Sequence, residues 1–176
     1  MDISGSRWKD AMNLTYKVTT NENLRLIQYK LMTRIYYTRD RLKKNDNKTS
    51  DLCIKCKLQP DSLLHSFWEC PKIRNEWRKI EEWMSDICKR KMDFSSGKCI
   101  FQHMENVRYP MGWQIMFSSL IFKKLILKNW KNENAPSVDC WKNSMKYYLN
   151  LERSLSVDRN KEGQFSVVWN AIFEAL

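Results

Sequence analysis

Glycine, proline and histidine are all scarce in this sequence, which contains four, four and two of them among 176 residues. This composition excludes collagen-like and low-complexity chains, which are rich in glycine or proline. No glycine-rich loop of the kind that cradles phosphate groups is present. Two histidines offer few general bases, and the carboxylates are dispersed among basic residues. We therefore expect a folded protein that is not an enzyme.

Long apolar runs are also missing. No stretch approaches the roughly 18 residues that a membrane span needs. Residues Met1 to Tyr16 lack the unbroken apolar core of a signal peptide. The sequence therefore predicts an intracellular protein with no membrane partner. In a reducing compartment, its six cysteines are more typical of a metal site than of a disulfide framework.

Three of these cysteines and one histidine lie within CIKCKLQPDSLLHSFWEC, residues 53–70. The ligand pattern is C-x2-C-x8-H-x4-C, formed by Cys53, Cys56, His65 and Cys70. Zinc binds thiolate sulfur and imidazole nitrogen in a closed tetrahedron, and a Cys3His set leaves no position for substrate or water. The pattern therefore predicts one structural Zn²⁺ ion. The alternative is a chance cluster of buried thiols and a surface histidine.

The other cysteines and the second histidine do not suggest a further site. Cys88, Cys99 and Cys140 are isolated in the sequence, so we expect each to be a thiol of the core. His103 has no cysteine at ligand spacing and is interpreted as an ordinary polar residue.

Helices are predicted around the cluster, because apolar residues recur at intervals of three and four. Asn21 or Thr20 is expected to cap the first of these stripes, Asp61 or Ser62 a short helix that carries His65, and Ser137 a later helix. The stripes are Leu24, Ile27, Leu31 and Ile35; Ile73, Trp77, Ile80, Met84 and Ile87; Trp113, Met116, Phe117, Leu120, Ile121 and Leu127; Val138, Trp141, Met145 and Leu149; and Phe165, Val168, Trp169, Ile172, Phe173 and Leu176.

These patterns predict a mostly α fold, a helical domain with a small CCHC zinc knuckle inserted between helices. Its parts are a basic N-terminal helical segment at 1–50, the knuckle with its following helix at 51–93, and a C-terminal helical segment at 94–176. The stripe that begins at Trp113 is apolar on nearly every side, so it is predicted to be a central, mostly buried helix.

Basic residues exceed acidic ones by 31 to 20, and the net charge of +11 favours polyanionic partners, above all nucleic acid. Residues 1–52, 53–93 and 94–176 carry net charges of +5, +2 and +4. The predicted zinc segment is thus the least basic. We therefore expect zinc to fix the fold and the flanking helices to contact phosphate.

The best candidate surface for nucleic acid lies just before the cluster, where cations and tyrosines are interleaved. This basic segment consists of Arg34, Tyr36, Tyr37, Arg39, Arg41, Lys43, Lys44 and Lys48. Cations pair with phosphates, and tyrosine rings stack on unpaired bases. The alternative is a solvated helix end with Tyr36 or Tyr37 in the core. A second basic set, Lys123, Lys124, Lys128 and Lys131, is predicted on the polar side of the central helix.

Two long stretches of the chain, NENLRLIQYKLMTRIYYTRDRL at 21–42 and DLCIKCKLQPDSLLHSFWECPKIRNEWRKI at 51–80, carry a family resemblance. They are similar to the C-terminal region of the LINE-type, non-LTR retrotransposon reverse transcriptase polyprotein, within the L1 clade. His65 to Pro71 reproduces the family's H-x-x-W-E-C-P ending, and Trp77 stands at the tryptophan of its next helix. The resemblance is looser after residue 120.

The resemblance implies a role as well as an origin. The family's tail binds the RNA of its element and supports ribonucleoprotein assembly and target-primed reverse transcription, in the cytoplasm and the nucleus. The implied partners are the element transcript, target DNA, and the polymerase domain upstream in the same polyprotein. The family's polymerase and endonuclease domains do not fit in this sequence. The chain is then either a fragment of a longer protein or a stand-alone derived gene.

Two points stay open at the level of sequence. The retroviral knuckle has four residues between its second cysteine and its histidine where this chain has eight, so Trp68 either packs inward or stacks on a base. The second point is the class of protein. The alternative to an RNA-binding tail is a zinc-stabilised protein-interaction module without direct RNA binding.

Overall fold

The computed structural model describes residues 5–104 and 107–176, with the backbone alone for residues 5–7. Over these residues the chain is mostly α, as predicted. A π-helical turn, His65–Glu69, precedes α4. The helices are α1 (Gly5–Val18), α2 (Glu22–Met32), α3 (Arg39–Asn45), α4 (Pro71–Cys88), α5 (Ser96–Cys99), α6 (Met111–Lys128), α7 (Val138–Asp158) and α8 (Glu162–Glu174). None of these helices is long and apolar enough to cross a lipid bilayer.

Helix α6 is the centre of the fold. The side chains of Phe117, Leu120 and Phe122 are fully buried, although they point in different directions from the helix axis. Helices α1, α2, α5, α7 and α8 all pack against it. Burying a side chain of this size stabilises the fold by about 1.5–3 kcal/mol. The prediction of a central, mostly buried helix is therefore confirmed.

Helix α4 connects the Cys/His cluster to this core. Pro71 lies in its first turn, where a missing N–H leaves no hydrogen bond unmade. Trp77 is fully buried, and its Nε1 donates to the carbonyl of Phe67 at 2.9 Å. The Trp77 ring also makes an edge contact with Phe122 at 4.6 Å between centroids. The helix that leaves the last cysteine of the cluster is thus packed directly on α6.

Side-chain caps define the starts of α2 and α7. Asn21 accepts from the N–H of Leu24 at 3.2 Å, and Ser137 accepts from the N–H of Cys140 at 3.3 Å. Both caps were predicted from the sequence. The buried Glu76 of α4 adds a contact that the sequence does not suggest, because its carboxylate accepts from the N–H of Val138 at 2.9 Å and so joins α4 to the start of α7.

The three predicted segments contribute to one hydrophobic core. Leu24 comes from the first segment, Phe67 and Trp77 come from the second, and Leu120 and Trp169 come from the third. Each of the three segments, if isolated, would lose apolar contacts with the other two. The segments therefore form a single packing unit.

Some expectations about single residues are wrong. Helix α2 ends at Met32 rather than continuing to Ile35, because Arg34 adopts a left-handed backbone conformation with φ 53°. Ile35 is consequently 47% exposed. Among the isolated cysteines, Cys99 is buried and Cys88 packs partly buried against the core, as expected, but Cys140 is exposed.

Candidate metal centre and adjoining basic segment

Four donor atoms meet between α3 and α4. One ligand atom from each of Cys53, Cys56, His65 and Cys70 lies within 4.8 Å of the others. The sulfurs of Cys53 and Cys70 are 3.9 Å apart, and the Cys56 sulfur is 3.3 Å from His65 Nε2. Two sulfurs bound at about 2.3 Å to one tetrahedral ion are about 3.8 Å apart. The four residues predicted as ligands therefore form a group that can hold a metal ion.

Disulfide bonding does not account for this cluster. A disulfide joins its sulfurs at about 2.0 Å, whereas the sulfurs of Cys53 and Cys70 are 3.9 Å apart. All three cysteines are free thiols. The chance cluster with a surface histidine does not fit either, since His65 is only 2% exposed.

A tight turn positions the first two cysteines. The N–H of Cys53 donates to the carbonyl of Gln59, and the N–H of Lys57 donates to the carbonyl of Cys53, both at 2.8 Å. Lys57 adopts a left-handed conformation with φ 60°, and the chain turns back so that Pro60 pairs with Leu52. The Cys53 and Cys56 sulfurs are thereby directed at the other two ligands.

The π-helical turn positions the histidine and the last cysteine. The N–H of Cys70 donates to the carbonyl of His65 at 2.9 Å, a bond that spans five residues. Ser62 Oγ accepts from the N–H of His65 at 3.1 Å, which confirms the predicted cap. His65 Nε2 faces Cys56, so a metal bound there leaves the ring proton on Nδ1.

The two buried thiols differ in acidity. The Cys53 thiol donates to the Cys70 sulfur and, with the backbone N–H groups of Ile73 and Lys72, lowers the pKa of Cys70 to about 7. The same hydrogen bond, together with burial, raises the pKa of Cys53 to about 12. Cys70 is therefore the first of the pair to become a thiolate, helped by the N-terminus of α4, and thiolate is the form that binds metal.

Lys55 fixes the cluster against the central helix. Its side chain is buried, and Nζ donates to the carbonyls of Asn129 at 2.9 Å and Asn132 at 2.8 Å, just beyond the end of α6. Burial lowers the pKa of Lys55, an effect that the nearby Cys53 and Cys70 oppose. This contact was not predicted from the sequence, because a lysine between two cysteines gives no signal of burial.

Trp68 packs inward. It is 9% exposed, its ring lies 5.4 Å from that of Trp77, and the guanidinium of Arg74 stacks over it at 4.3 Å. With one face on the core and a cation over the ring, Trp68 supports the cluster and is not a platform for a base.

The basic segment lies in the loop after α2, in α3 and in the turn that follows. Tyr37 is 59% exposed, and the guanidinium of Arg41 lies over its ring at 5.1 Å. Arg41 also donates to the carbonyl of Tyr36 at 3.3 Å. Tyr36 and Arg39 are partly buried, while the exposed members of the segment are Arg34, Tyr37, Arg41, Lys43, Lys44 and Lys48.

Tyr36 anchors this segment to the metal centre. Its ring lies 6.0 Å from Phe67 and 6.3 Å from Trp130, and burial raises its pKa to about 12. Tyr36 therefore belongs to the core, as the alternative interpretation held, whereas Tyr37 does not. The two adjacent tyrosines have different roles because they point to opposite sides of an extended loop.

Asp61, which was predicted only as a possible helix cap, makes a second link between the basic segment and the ligand loop. Its carboxylate accepts from the backbone N–H of Arg39 at 3.3 Å and from the hydroxyl of Ser66 on the π-helical turn. Arg39 Nε donates in turn to the carbonyl of Ser50 at 2.9 Å. The start of α3 is thus held by the loop that carries the ligands.

The second basic set is not one surface. Lys123 is fully buried, which contradicts its predicted place on a polar side of α6. Its Nζ donates to Gln28 Oε1 at 2.5 Å and to the carbonyl of Cys99 at 2.8 Å. Lys124 is partly buried against Tyr148, Lys128 is exposed, and Lys131 lies in the turn beyond the end of α6. Three charges at most face solvent together.

Comparison with protein-family models gives no match for this chain.

Proposed function

We propose that this chain is the RNA-binding C-terminal tail of a LINE-type, L1-clade retrotransposon protein. In this role it binds the element transcript and supports ribonucleoprotein assembly and target-primed reverse transcription, without catalysing either polymerisation or DNA cleavage. Target DNA and the upstream polymerase domain are further proposed partners, in the cytoplasm and the nucleus.

The proposed resident metal is a structural Zn²⁺ ion held by Cys53, Cys56, His65 and Cys70. Three sulfurs and one imidazole suit zinc, whereas magnesium and calcium prefer oxygen ligands. With four protein ligands the ion has no position for a substrate, so its contribution is to fix the loop that carries Asp61 and the start of α4.

The observation that carries the RNA proposal is the exposed part of the basic segment. Tyr37 presents a ring to solvent beside the cation of Arg41, and Lys43, Lys44 and Lys48 follow within one helix and turn. Cations neutralise phosphates and a tyrosine ring stacks on any unpaired base, so this combination suits single-stranded or looped RNA with limited sequence preference. Tyr36 and Asp61 hold the surface in place, which reduces the entropy lost on binding.

Salt dependence of RNA binding tests this proposal. The triple variant Lys43→Gln, Lys44→Gln and Lys48→Gln removes three exposed charges and breaks the ion pair between Lys43 and Asp51, which lie 3.0 Å apart. If all three contact phosphate, the slope of log affinity against log salt should flatten by about 2, because each contact on a single strand contributes about 0.7. Fluorescence anisotropy with a labelled hairpin RNA at several salt concentrations measures the slope.

A matched control removes the same charge elsewhere. Arg78, Lys89 and Lys91 are exposed on α4 or just after it, so Arg78→Gln, Lys89→Gln and Lys91→Gln together should leave the slope nearly unchanged. Equal effects of the two triple variants would mean that net charge, not this surface, determines binding.

The adjacent tyrosines provide a second control. Tyr37→Ala should weaken RNA binding by about 1–3 kcal/mol with little change in the salt slope, because it removes stacking and no charge. Tyr36→Ala should instead destabilise the fold by about 2–4 kcal/mol, because it leaves a cavity against Phe67 and Trp130. Denaturation and anisotropy on both variants separate these effects.

A protein-interaction module is the second candidate, and one feature favours it. Leu26 and Tyr29 are 45% and 42% exposed on the same helix, α2. RNA affinity that is weak and insensitive to salt would support this alternative, since phosphate contacts release counterions.

A further inference from the structure

A second surface with aromatic and cationic side chains lies at the other end of α2. It is a cleft of about 370 Å³ between the end of α1, the turn that enters α2, and the region where α7 meets α8. This volume is within the range of about 300–1,000 Å³ that is usual for small-ligand sites. None of the predicted site residues lines it.

Four cations border the cleft. Lys17, Arg159 and Lys161 are exposed, whereas Arg25 is partly buried. Arg25 is held in place, since Nε donates to the carbonyl of Thr19 at 2.8 Å and Nη2 donates to that of Tyr16 at 3.0 Å. A group of cations that converges on a concave surface attracts phosphate more strongly than the same charges spread on a convex one.

One carboxylate faces the same space. Glu152 accepts from the hydroxyl of Thr19 at 2.6 Å and from the N–H of Thr20 at 3.3 Å, so it ties α7 to the turn between α1 and α2. Its charge opposes an anion, but it is outnumbered by the four cations of the lining.

Aromatic rings complete the lining. Tyr16 is 56% exposed, with the guanidinium of Arg25 stacked on it at 4.6 Å, and Trp113 is partly buried. Phe165 and Trp169 are buried and form the apolar floor. Single-stranded nucleic-acid sites combine aromatic rings, which stack on bases, with cations, which pair with phosphates, and this cleft offers both.

We propose that this cleft binds a nucleotide of a single-stranded RNA, with the base against Tyr16 or Trp113 and the phosphate at Arg159 and Lys161. The inference rests on the proposed RNA-binding function and extends it to a second contact. Helix α2 runs from Glu22 to Met32 and separates the cleft from the basic segment. At about 1.5 Å per residue, it spans about 16 Å, so one strand is able to reach both surfaces.

A tetranucleotide tests the cleft apart from the basic segment. The probe is a short RNA of four residues that contains one 4-thiouridine, and ultraviolet crosslinks are mapped by mass spectrometry on the full chain loaded with zinc. We expect crosslinks at Tyr16 or Trp113. The same crosslinks should form in the Lys43→Gln, Lys44→Gln, Lys48→Gln variant. The result therefore does not depend on whether the basic segment binds RNA.

Two variants give the quantitative test. Arg159→Gln with Lys161→Gln should weaken tetranucleotide binding at least fivefold and flatten its salt slope by about 0.7, the value for one neutralised phosphate. Lys89→Gln with Lys91→Gln is the charge-matched control and should change neither quantity. Both pairs are exposed, so folding should be retained.

Three results would overturn the inference. These are crosslinks confined to residues outside the cleft, equal effects of the two double variants, and competition by uridine monophosphate at the same concentration as the tetranucleotide. The last result would assign the cleft to free nucleotides and not to a strand. In each case the proposed function would stand if binding of a longer hairpin RNA still depended on Lys43, Lys44 and Lys48.

Discussion

At the scale of single residues, the most unusual group is the amine of Lys123. It is fully buried in α6, and burial lowers its pKa to about 7. Its two acceptors, Gln28 Oε1 and the carbonyl of Cys99, are neutral, so the protonated amine has no carboxylate to offset the cost of leaving water. This lysine is a structural residue that joins α2 and α5 to α6.

This burial predicts a pH-dependent stability. Between about pH 7 and the ordinary lysine pKa of about 10.4, the unfolded chain binds a proton at Lys123 that the folded chain does not, so stability should rise with pH. Cys99 has the opposite effect above about pH 9, because burial raises its pKa and only the unfolded chain ionises there. The gain should therefore be seen between about pH 7 and 9, at about 2–3 kcal/mol.

Urea denaturation of the parent and of Lys123→Met at pH 7, 8 and 9 measures this gain. All other ionisable groups are common to both proteins, so the difference between the two stabilities reports on Lys123. We expect the stability of the parent to rise relative to the variant across this range. Curves that stay parallel would show that the amine remains protonated in the folded state.

At the scale of elements, Cys70 has two structural roles. It is the last residue of the ligand set and the residue immediately before α4, where the N–H groups of Lys72 and Ile73 approach its sulfur. The proposed ion and the helix would therefore share one residue, and the order of α4 should depend on metal binding.

Replacing Cys70 separates ligation from helix capping. Serine is a good N-cap residue, so Cys70→Ser preserves or improves the cap while it removes a thiolate. We expect metal content to fall from about one equivalent to below half and hydrogen exchange in the first turns of α4 to accelerate. Cys140→Ser, at an exposed thiol, is the control and should change neither property. A Cys70→Ser protein with a full equivalent of metal would show that the four residues are not the ligand set.

Elements also show what the sequence could predict. The spacing of the cysteines, the stripes of α4, α6, α7 and α8, and the caps at Asn21 and Ser137 depend on local chemistry, and all were predicted. The burial of Lys123 and Lys55 was not, because the groups that accept from them are carbonyls and an amide distant in the chain. Nor could the sequence show that Tyr36 is packed in the core while Tyr37 is exposed. That difference depends on the positions of Phe67 and Trp130, which no local pattern contains.

At the scale of the whole molecule, the metal centre is a junction and not a separate module. Phe67 and Trp68 of the ligand loop belong to the same core as α6, and Lys55 joins that loop to the residues after α6. An ion pair between Lys57 and Glu133 at 2.9 Å lies on the same side, although both groups are exposed and such pairs contribute little. Loss of the metal should consequently affect helices that do not contact it.

Removal of the metal should therefore destabilise the ligand loop and the helices together, in one unfolding transition. If the ion is present at about 1,000 times its dissociation constant, removing it costs about 4 kcal/mol, which lowers the melting temperature by about 8–16 °C for a protein of this size. The midpoint from circular dichroism should equal the midpoint from tryptophan fluorescence, both in the loaded protein and after chelation.

Hydrogen exchange should accelerate in α6 and α7 as well as in residues 51–70, because these parts share one core. Restored zinc should reverse each change, and Cys70→Ser should be insensitive to the chelator. If chelation accelerates exchange in residues 51–70 alone, the ligand loop folds independently of the helices around α6, and the junction has no role in their stability.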